Sequence, residues 1–504
     1  MSGTDMTGTE LSDIELSSTE MSSTHMKQES GGMEQAQRVR QGEPRQELNP
    51  QPAQNEWPQL AELATVLALE LQLGLKRDGA LQHSPLTLLP WQLPAQQFAE
   101  ARAIARAIGA RLVALAADPV QLQSALAPIL AGASLPARLW AQWQTIPAAE
   151  RRARPLNLIR VDLLQDNAGQ WKLVETNSIA AGMGPFSEGL AQIQQALWPE
   201  LVRANLASAA LPHFAPNPAT ETLAAALQIA AVQQLNAAPV QDAAAVPTVV
   251  FVVEAHEDNI FDQRKIARLL EQKGCRVVRL TLAEIDARLQ RDRAPRCELR
   301  GIGPVQVFYF RTGYNLADYH EGRNDPQQLL ALRAELETLR VTLAPTIPLQ
   351  LASAKAVQAH WAATTDSGID HAALHTGHQF LQDLCAPAIS DWSGWVLKSQ
   401  GEGGGNVVQG DAIPLRLQQL SAQERHDWLL MRRIAVTLRA QGVPMLRKGR
   451  VEFAHHLVSE LGLFVLGDDL HDGGFLLRSK PGHALETGVH RGEGMIDVVV
   501  LTDG

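Results

Sequence analysis

The chain has 504 residues, of which 45% are hydrophobic and 19% are charged, and its formal net charge at pH 7 is −10. This length leaves room for two to four domains, and the acidic balance without a basic cluster excludes a nucleic-acid-binding surface. Cys275, Cys297 and Cys385 are too far apart for a CxxC pair, which excludes a disulfide framework and a cysteine-based zinc site. No apolar run approaches the roughly 20 residues of a membrane span, and no signal-peptide pattern precedes the first domain. We therefore expect a cytoplasmic protein that does not bind or span a membrane.

The first part of the chain divides into a tail and a helical scaffold. Residues 1–55 are of low complexity, rich first in Ser and Thr and then in Gln, Arg and Pro, and we expect them to be disordered. The segments 60–75, 98–117 and 120–131 are apolar at helical spacing, which predicts amphipathic helices. We interpret this region as scaffold.

The first chemistry-bearing residues lie on two short predicted strands. LNLIRVDLL (156–164) carries Arg160 and Asp162, and WKLVETN (171–177) carries Glu175 and Asn177. Side chains alternate along a strand, so Glu175 and Asn177 lie on one face. Two oxygen ligands on one face suit a Mg²⁺ ion that bridges phosphates, whereas the alternative is a solvated sheet edge.

A second region has the pattern of a separate α/β domain. The apolar strand PTVVFVVEA (247–255), the helix beginning at NIFDQR (259–264), the strand RVVRLTL (276–282) and the strand VQVFYF (305–310) predict a parallel sheet. Ligands of such sheets bind at the carboxyl ends of the strands. Glu257 and Asn259 follow the first of these strands, and Arg311 and Tyr314 follow the third, so a binding crevice is predicted there.

The stretch WVLKSQGEGGGN (395–406) predicts a phosphate-binding loop. A buried strand delivers Lys398 to a turn, where Glu402 precedes three glycines whose amides can approach a polyphosphate closely. Lys398 supplies positive charge, and Glu402 is an oxygen ligand for Mg²⁺. The alternative is an ordinary surface turn, and the loop is not a Walker A motif because GxxxxGK[ST] is absent. Lys355, on a predicted helix, is a weaker candidate for a second phosphate lysine.

The chain carries the following segments in this order: LTLLP, IRVD, VETNSIAA, NIFDQR, VFYFRTGY, QLASAKAVQ, VLKSQGEGGGN, LLM and SELGLF. With these segments it resembles the eukaryotic-type glutathione synthetases, members of the ATP-grasp superfamily, over roughly residues 80–504. The resemblance implies an α/β ATP-grasp fold with a separate parallel-sheet substrate-binding domain and a glycine-rich lid. It also implies a ligase in which ATP phosphorylates a donor carboxylate and an amine then displaces phosphate from the acyl phosphate. Such chemistry depends on positioning and charge neutralisation.

The resemblance implies a role for each matching residue. Arg160, Glu175 and Lys398 would be catalytic. The Mg²⁺ ligands, for what is expected to be two ions, would be Glu175, Asn177 and Glu402. The ATP-binding residues would be Lys355, Lys398, Gly403, Gly404, Gly405, Asn406, Met431, Arg432, Ile434 and Glu460. The residues that read the γ-glutamylcysteine donor would be Arg160, Glu257, Asn259, Gln263, Arg311 and Tyr314.

The C-terminal part departs from the family, which carries an Arg-Thr-Lys signature that grips the acceptor glycine and ATP. LLRSK supplies Arg478 and Lys480 at the right spacing, but several residues early relative to Glu460. The placement that preserves the hairpin length puts Glu486 and Gly488 there instead, and the sequence favours this second placement. A glutamate at the acceptor site would repel a glycine carboxylate and favour a cationic or uncharged amine.

The predicted domains are a tail at 1–55, a helical region with part of the ATP-grasp core at 56–245, the substrate-binding domain at 246–345, and the nucleotide-binding and lid region at 346–504. The leading function is ATP-dependent ligation of γ-glutamylcysteine to glycine. The alternatives are the same chemistry with another amine and, from a different class, a non-catalytic binder of γ-glutamyl peptides or nucleotides. The expected partners are small-molecule substrates, and the family suggests a homodimer.

Overall fold

The computed structural model describes residues 57–77, 79–237, 245–320, 325–363, 378–380 (backbone only), 389–401, 407–439, 442–484, 488–489 and 494–503. The predicted tail at 1–55 and the loop residues 402–406 lie outside them. The helices and strands are α1 (Trp57–Glu70), β1 (Gly74–Arg77), β2 (Ala80–His83), β3 (Leu86–Thr87), β4 (Trp91–Pro94), α2 (Ala95–Ala117), α3 (Pro119–Leu126), α4 (Leu135–Gln144), β5 (Arg154–Pro155), β6 (Leu158–Gln165), β7 (Trp171–Asn177), α5 (Gly184–Arg203), α6 (Ala219–Asn236), β8 (Thr248–Val252), α7 (Ile260–Gln272), β9 (Arg276–Leu280), α8 (Leu282–Arg288), β10 (Glu298–Leu299), β11 (Gly303–Pro304), β12 (Val307–Phe310), α9 (Pro326–Glu337), β13 (Thr342–Ala344), α10 (Ile347–Ala352), α11 (Lys355–Ala363), β14 (His378–Phe380), β15 (Trp395–Ser399), β16 (Val407–Gln409), α12 (Ala412–Gln419), β17 (Trp428–Arg432), β18 (Val443–Arg447), β19 (Arg450–Ala454), β20 (Leu457–Leu466), β21 (His471–Pro481), β22 (Met495–Asp497) and β23 (Val499–Thr502).

The largest sheet joins distant parts of the chain. Its eight strands run in the order β19-β18-β3-β22-β21-β20-β6-β7, so strands from residues 86–177 lie on both sides of C-terminal strands. The hairpin of β20 and β21 lies near its middle, in antiparallel register with β6. The pairing of β20 with β21 runs from Leu457 with Pro481 to Leu466 with His471.

The two faces of this sheet carry different side chains because residues alternate along each strand. Leu461, Leu463 and Val465 of β20 pack in one cluster with the apolar stripe of α2. Gly109 of α2 permits close packing there, since a Cβ would lie 3.1 Å from Val465 Cγ1. The opposite face packs Phe464 and Leu466 against α5 at one end. Beyond α5, this second face carries polar side chains.

The predicted parallel sheet is confirmed, with strands in the order β5-β13-β12-β8-β9. Strands β12 and β13, β12 and β8, and β8 and β9 pair in parallel. The helix α7 between β8 and β9 buries Ile266, Ala267 and Leu270 on one side. Strand β5, at 154–155, extends this sheet from outside the predicted range 246–345.

A smaller sheet carries Lys398, in the order β14-β17-β15-β16. Trp395, Leu397 and Leu430 form its own small core with Ile413 and Leu420. Asp427, just before β17, fixes this sheet to the helical region. Its carboxylate accepts hydrogen bonds from the backbone amides of Ala133 (3.1 Å) and Ser134 (3.0 Å), ahead of α4. Among the residues that the structure describes, no helix meets the length and hydropathy that a membrane span requires.

Candidate functional site

A cavity of about 470 Å³ lies between the large sheet, the parallel sheet and the small sheet. All of the predicted site residues that fall within the described ranges line it. They are Arg160, Glu175, Asn177, Glu257, Asn259, Gln263, Arg311, Tyr314, Lys355, Lys398, Met431, Arg432, Ile434 and Glu460. Glu402, Gly403, Gly404, Gly405, Asn406 and Glu486 lie outside the described residues. Side chains that were predicted separately from four parts of the sequence thus converge on one space.

The floor of the cavity is the polar face of the large sheet. Arg160 pairs with Asn177 and Asp162 with Glu175 across β6 and β7. On the other side of β6, Asp162 pairs with Gly462 of β20. The alternation along both strands therefore brings two carboxylates, a guanidinium and an amide to the same surface.

Asp162 is the most connected group of this floor, and its side chain is fully buried. Its carboxylate accepts from Arg160 Nε (2.6 Å) and Nη2 (2.7 Å), from Asn177 Nδ2 (3.0 Å) and from Arg478 Nη2 (3.2 Å). Arg478 also pairs with Glu460, which lies directly opposite it in the hairpin. Arg478 and Lys480 both line the cavity, and Lys480 donates to the carbonyl of Ala484 (2.9 Å).

Glu175 is held as a carboxylate. Burial alone would raise the pKa of Glu175, but the positive charges of Lys355, Lys398, Arg478 and Arg160 outweigh burial and lower it to about 2. An ionised carboxylate is the form that a metal ligand requires. The site therefore holds an oxygen ligand surrounded by cations that suit phosphate oxygens.

The described residues fit Mg²⁺ as part of a larger ligand set. No group of three or more His, Cys, Asp or Glu side chains forms a metal site by itself within the described ranges. Asn177 commits its amide nitrogen to Asp162, which leaves the amide oxygen for a cation beside Glu175. Glu175, Asn177 and Glu402 would hold the ion, which when bound neutralises phosphate charge.

The other end of the cavity is built from the parallel sheet and α7. Arg311 follows β12, and its guanidinium forms a buried ion pair with Asp262 (2.7 Å) and donates to the Tyr309 hydroxyl (3.3 Å). Asp262 also accepts from the backbone amide of Met183 (3.0 Å). Only glycine fits at Gly182, because a Cβ there would lie 2.2 Å from Arg311 Nη2.

Several polar atoms at this end point to a polar ligand. Within the described part of the chain, the buried Oδ1 of Asn259, Oε1 of Gln263 and Nε of Arg311 have no hydrogen-bond partner. Buried polar groups are normally paired, so unpaired acceptors beside a guanidinium suit a ligand that carries both ammonium and carboxylate groups. Burial and the neighbouring Glu254 raise the pKa of Tyr314, whose hydroxyl therefore stays a donor.

The side of the cavity that is predicted to bind the nucleotide is formed by the small sheet. Lys398 of β15 lies between β16 and β17 in register with Val407 and Leu429, and Met431 and Arg432 of β17 line the same space. Lys355, at the start of α11, donates from Nζ to the carbonyl of Gly401 (3.0 Å). This contact holds the beginning of the glycine-rich stretch close to the helix that carries the second lysine.

The comparisons with known proteins agree with this architecture. A family model described as the ATP-binding domain of eukaryotic glutathione synthase matches residues 61–501. The chain belongs to this family. The predicted resemblance is confirmed, and membership supports an ATP-dependent ligase function on small-molecule substrates.

The relatives are similar over most of the chain. The glutathione synthetase of Mus musculus is 26% identical over 440 residues, which is 81% of this chain and 86% of that protein. The chloroplastic enzyme of Arabidopsis thaliana is 26% identical over 84% of this chain and 79% of its own length. The chloroplastic enzyme of Solanum lycopersicum is 30% identical over 279 residues, and this chain spans about half of its length.

One solved structure supports the fold. A glutathione synthetase-like effector from Globodera pallida, in its apo form, superimposes with a TM-score of 0.65 over 88% of this chain and 96% of that chain, at 16% sequence identity. At this identity the likeness shows the fold alone. The predicted α/β ATP-grasp fold is confirmed, whereas the homodimer and the cytoplasmic location stay predictions.

Asp162 and Asp262 hold arginines that line the cavity, and Gly182 and Gly462 leave room for these ion pairs; the sequence assigned a role to none of the four. Asp162 and Asp262 stand in the quoted segments IRVD and NIFDQR, but a single carboxylate on a strand or in a first helical turn is usually solvated or capping. For Asp162 the signal was its spacing of two residues from Arg160, which puts both side chains on one face of β6. Asp262 gave no such signal, because Arg311 belongs to a distant element. Gly462 gave no signal, because the side chains that approach it, those of Asp162 and Arg160, belong to a distant segment.

Proposed function

We propose that the protein is an ATP-dependent ligase that joins the donor carboxylate of γ-glutamylcysteine to the amino group of glycine. The γ-phosphoryl group of ATP passes to the donor carboxylate, and ADP leaves. The glycine nitrogen then bonds to the acyl carbon, phosphate leaves, and the amine loses a proton. Family membership supports the ligase class, whereas the choice of glycine as the acceptor is argued from the cavity.

The position of Arg478 carries the choice of glycine. Arg478 lies opposite Glu460 on the cavity floor, with Lys480 two residues along the same face. The Arg-x-Lys spacing is thus presented to the cavity despite the short hairpin. A guanidinium there suits an acceptor that carries a carboxylate, which favours glycine over a cationic amine.

The charge of each remaining side chain suits one part of the donor or of ATP. Arg311, held by Asp262, binds the α-carboxylate of the donor, and Glu257 and Asn259 bind its α-ammonium group. Arg160 stabilises the negative charge that develops on the phosphoryl group and on the tetrahedral intermediate. Lys355 and Lys398 bind the ATP phosphates, Met431 and Ile434 border the adenine, and Glu460 binds the ribose.

The test measures phosphate release from ATP with γ-glutamylcysteine and a panel of amines, with the product identified by mass spectrometry. We expect turnover with glycine and little with glycinamide or a diamine. Replacement of Arg478 by Met should raise the KM for glycine by about 30-fold or more, because an ion pair in a buried site is lost. The KM for γ-glutamylcysteine should change little.

The matched control is Glu486→Gln, which should leave the choice of amine unchanged. If a diamine or an uncharged amine is preferred and Glu486→Gln reverses that preference, the acceptor is not glycine and the second sequence placement is right. Absence of turnover with every amine would overturn the ligase proposal itself.

A further inference from the structure

Asp162 has no assigned role, yet it contacts three groups with different tasks in the proposed reaction. Its two oxygens accept from Arg160, Asn177 and Arg478, which lie on β6, β7 and β21. Arg160 would act on the phosphoryl group, Asn177 on Mg²⁺ and Arg478 on the acceptor. Among these three contacts, the bonds to Arg160 are the shortest and come from two nitrogens of one guanidinium.

The surrounding backbone makes room for this arrangement. Gly462 lies beside Asp162 in the register, and a Cβ there would lie 2.5 Å from Asp162 Oδ1 and 2.9 Å from Arg160 Cδ. Any larger residue would displace the pair. The side chain of Asp162 is completely buried and does not line the cavity, so it contacts no substrate directly.

We propose that Asp162 is a positioning residue that sets the geometry of Arg160, Asn177 and Arg478 together. This proposal rests on the proposed function for the groups that those three residues bind. A carboxylate can accept several hydrogen bonds at once, and with bonds to three side chains it fixes their rotamers relative to one another. One rigid anchor would thereby position the three side chains that act on the phosphoryl group, the metal and the acceptor.

A purely structural role makes a different prediction. Buried ion pairs also occur away from this cavity, as in Arg333 and Glu337 of α9, where Glu337 also accepts from the amide of Ile347 (2.6 Å). If Asp162 only balanced buried charge, its loss would lower stability without changing the separate kinetic constants of the folded enzyme.

The test replaces Asp162 by Asn in the full-length protein. We expect kcat to fall about 10- to 100-fold, the usual effect of removing a group that orients metal or substrate ligands. The affinity for Mg²⁺, titrated calorimetrically with a non-hydrolysable ATP analogue, should fall over the same range because Asn177 is no longer held. This binding measurement needs no turnover, so it distinguishes failure of this inference from failure of the proposed ligase function.

Two further variants keep the inference open to refutation. Asp162→Glu preserves the charge but not the reach, so it should stay impaired, and a full rescue by Glu would overturn positioning. Glu337→Gln, the matched buried control, should lower stability while kcat and Mg²⁺ affinity stay within about threefold.

A double-mutant cycle supplies the last check. If Asp162 acts through Arg478, Arg478→Met should raise the KM for glycine much less in the Asp162→Asn background than in the wild type. Additive effects, or an Asp162→Asn protein whose kcat and Mg²⁺ affinity match the wild type, would overturn the inference.

Discussion

Two fully buried aspartates of the same sheet, Asp162 and Asp497, differ in what surrounds them. Asp162 lies on the face that borders the cavity, whereas Asp497 lies on the opposite face with Ser479, the neighbour of Arg478. The Asp497 carboxylate accepts from Thr87 (2.7 Å) and Ser479 (2.6 Å) and pairs with Arg439. Neither Asp497 nor Arg439 lines the cavity. Burial of a charged pair therefore does not by itself indicate function.

The difference lies in the partners. Neutral hydroxyls and one arginine satisfy Asp497, and these partners join β3 to the C-terminal strands β21 and β22. The partners of Asp162 are instead side chains that line the cavity themselves. These contacts indicate that Asp497 holds the sheet together, and they agree with the proposal that Asp162 positions side chains of the cavity.

The largest expected effect tests the structural role of Asp497. Asp497→Asn should lower the free energy of unfolding by about 3 kcal/mol, because Arg439 loses its buried counter-charge. The kcat and the KM for glycine of the folded fraction should stay within about threefold. Urea unfolding and steady-state kinetics measure both quantities.

Asp469→Asn is the exposed control, since Asp469 forms an exposed pair with His471, and it should leave stability unchanged. An Asp497→Asn protein with normal stability and lost activity would break the comparison, because the two aspartates would then share one role.

The local pattern of the chain predicted elements and faces well. Alternation placed Glu175 and Asn177 together, and the βαβ pattern gave the parallel sheet with Arg311 at its carboxyl edge. These features depend on neighbours in sequence, whose geometry is set by the strand repeat. The position of β3 between β18 and β22 could not be predicted, since pairing over hundreds of residues leaves no local signal.

The acceptor end is the part of the site where the residue count and the observed strand register favour different residues. The sequence favoured Glu486 because that placement preserves the hairpin length. Hairpin loops tolerate insertions and deletions, whereas the cross-strand pairing of Glu460 with Arg478 is fixed by the register of two buried strands. The contacts of Asp162 with Asn177 and Arg478 were equally hidden, because these two partners lie on other strands, β7 and β21.

A second prediction compares two substitutions of glycine by alanine in the same hairpin. Gly462→Ala overpacks the cavity face, and Gly473→Ala overpacks the apolar core. Gly462→Ala pushes on Asp162 and Arg160, whereas a Cβ at Gly473 would lie 2.5 Å from Leu466 Cγ and Cδ1. Each substitution should cost about 1–3 kcal/mol of stability through overpacking. Only Gly462→Ala should also lower kcat, by about 10-fold.

Thermal unfolding and steady-state kinetics of the two variants separate these effects. An equal loss of kcat in Gly473→Ala would mean that activity responds to any strain in the hairpin. Full activity in a folded Gly462→Ala protein would mean that catalysis tolerates a displacement of Asp162 and Arg160.

The smallest expected effect is a pH-dependent change in stability, which comes from the contact between His83 and Gly449. His83 Nε2 accepts from the amide of Gly449 (2.7 Å), and Nδ1 donates to the carbonyl of Ser84 (2.9 Å), which requires the neutral ring. Burial lowers the pKa of His83 below 6.5. The contribution of His83 is therefore present above about pH 6.5 and is lost as the pH falls through that value towards the lower pKa of the folded state.

Protonation removes the acceptor of Gly449, so the wild type should lose about 1 kcal/mol of stability between pH 8 and pH 5 beyond the loss in His83→Gln. Gln keeps an uncharged acceptor and serves as the matched control. The affinity for the ATP analogue should be the same in both proteins at each pH, because His83 does not line the cavity. A pH-dependent difference in nucleotide affinity between them would show that the structural contacts of the sheet are coupled to its cavity face.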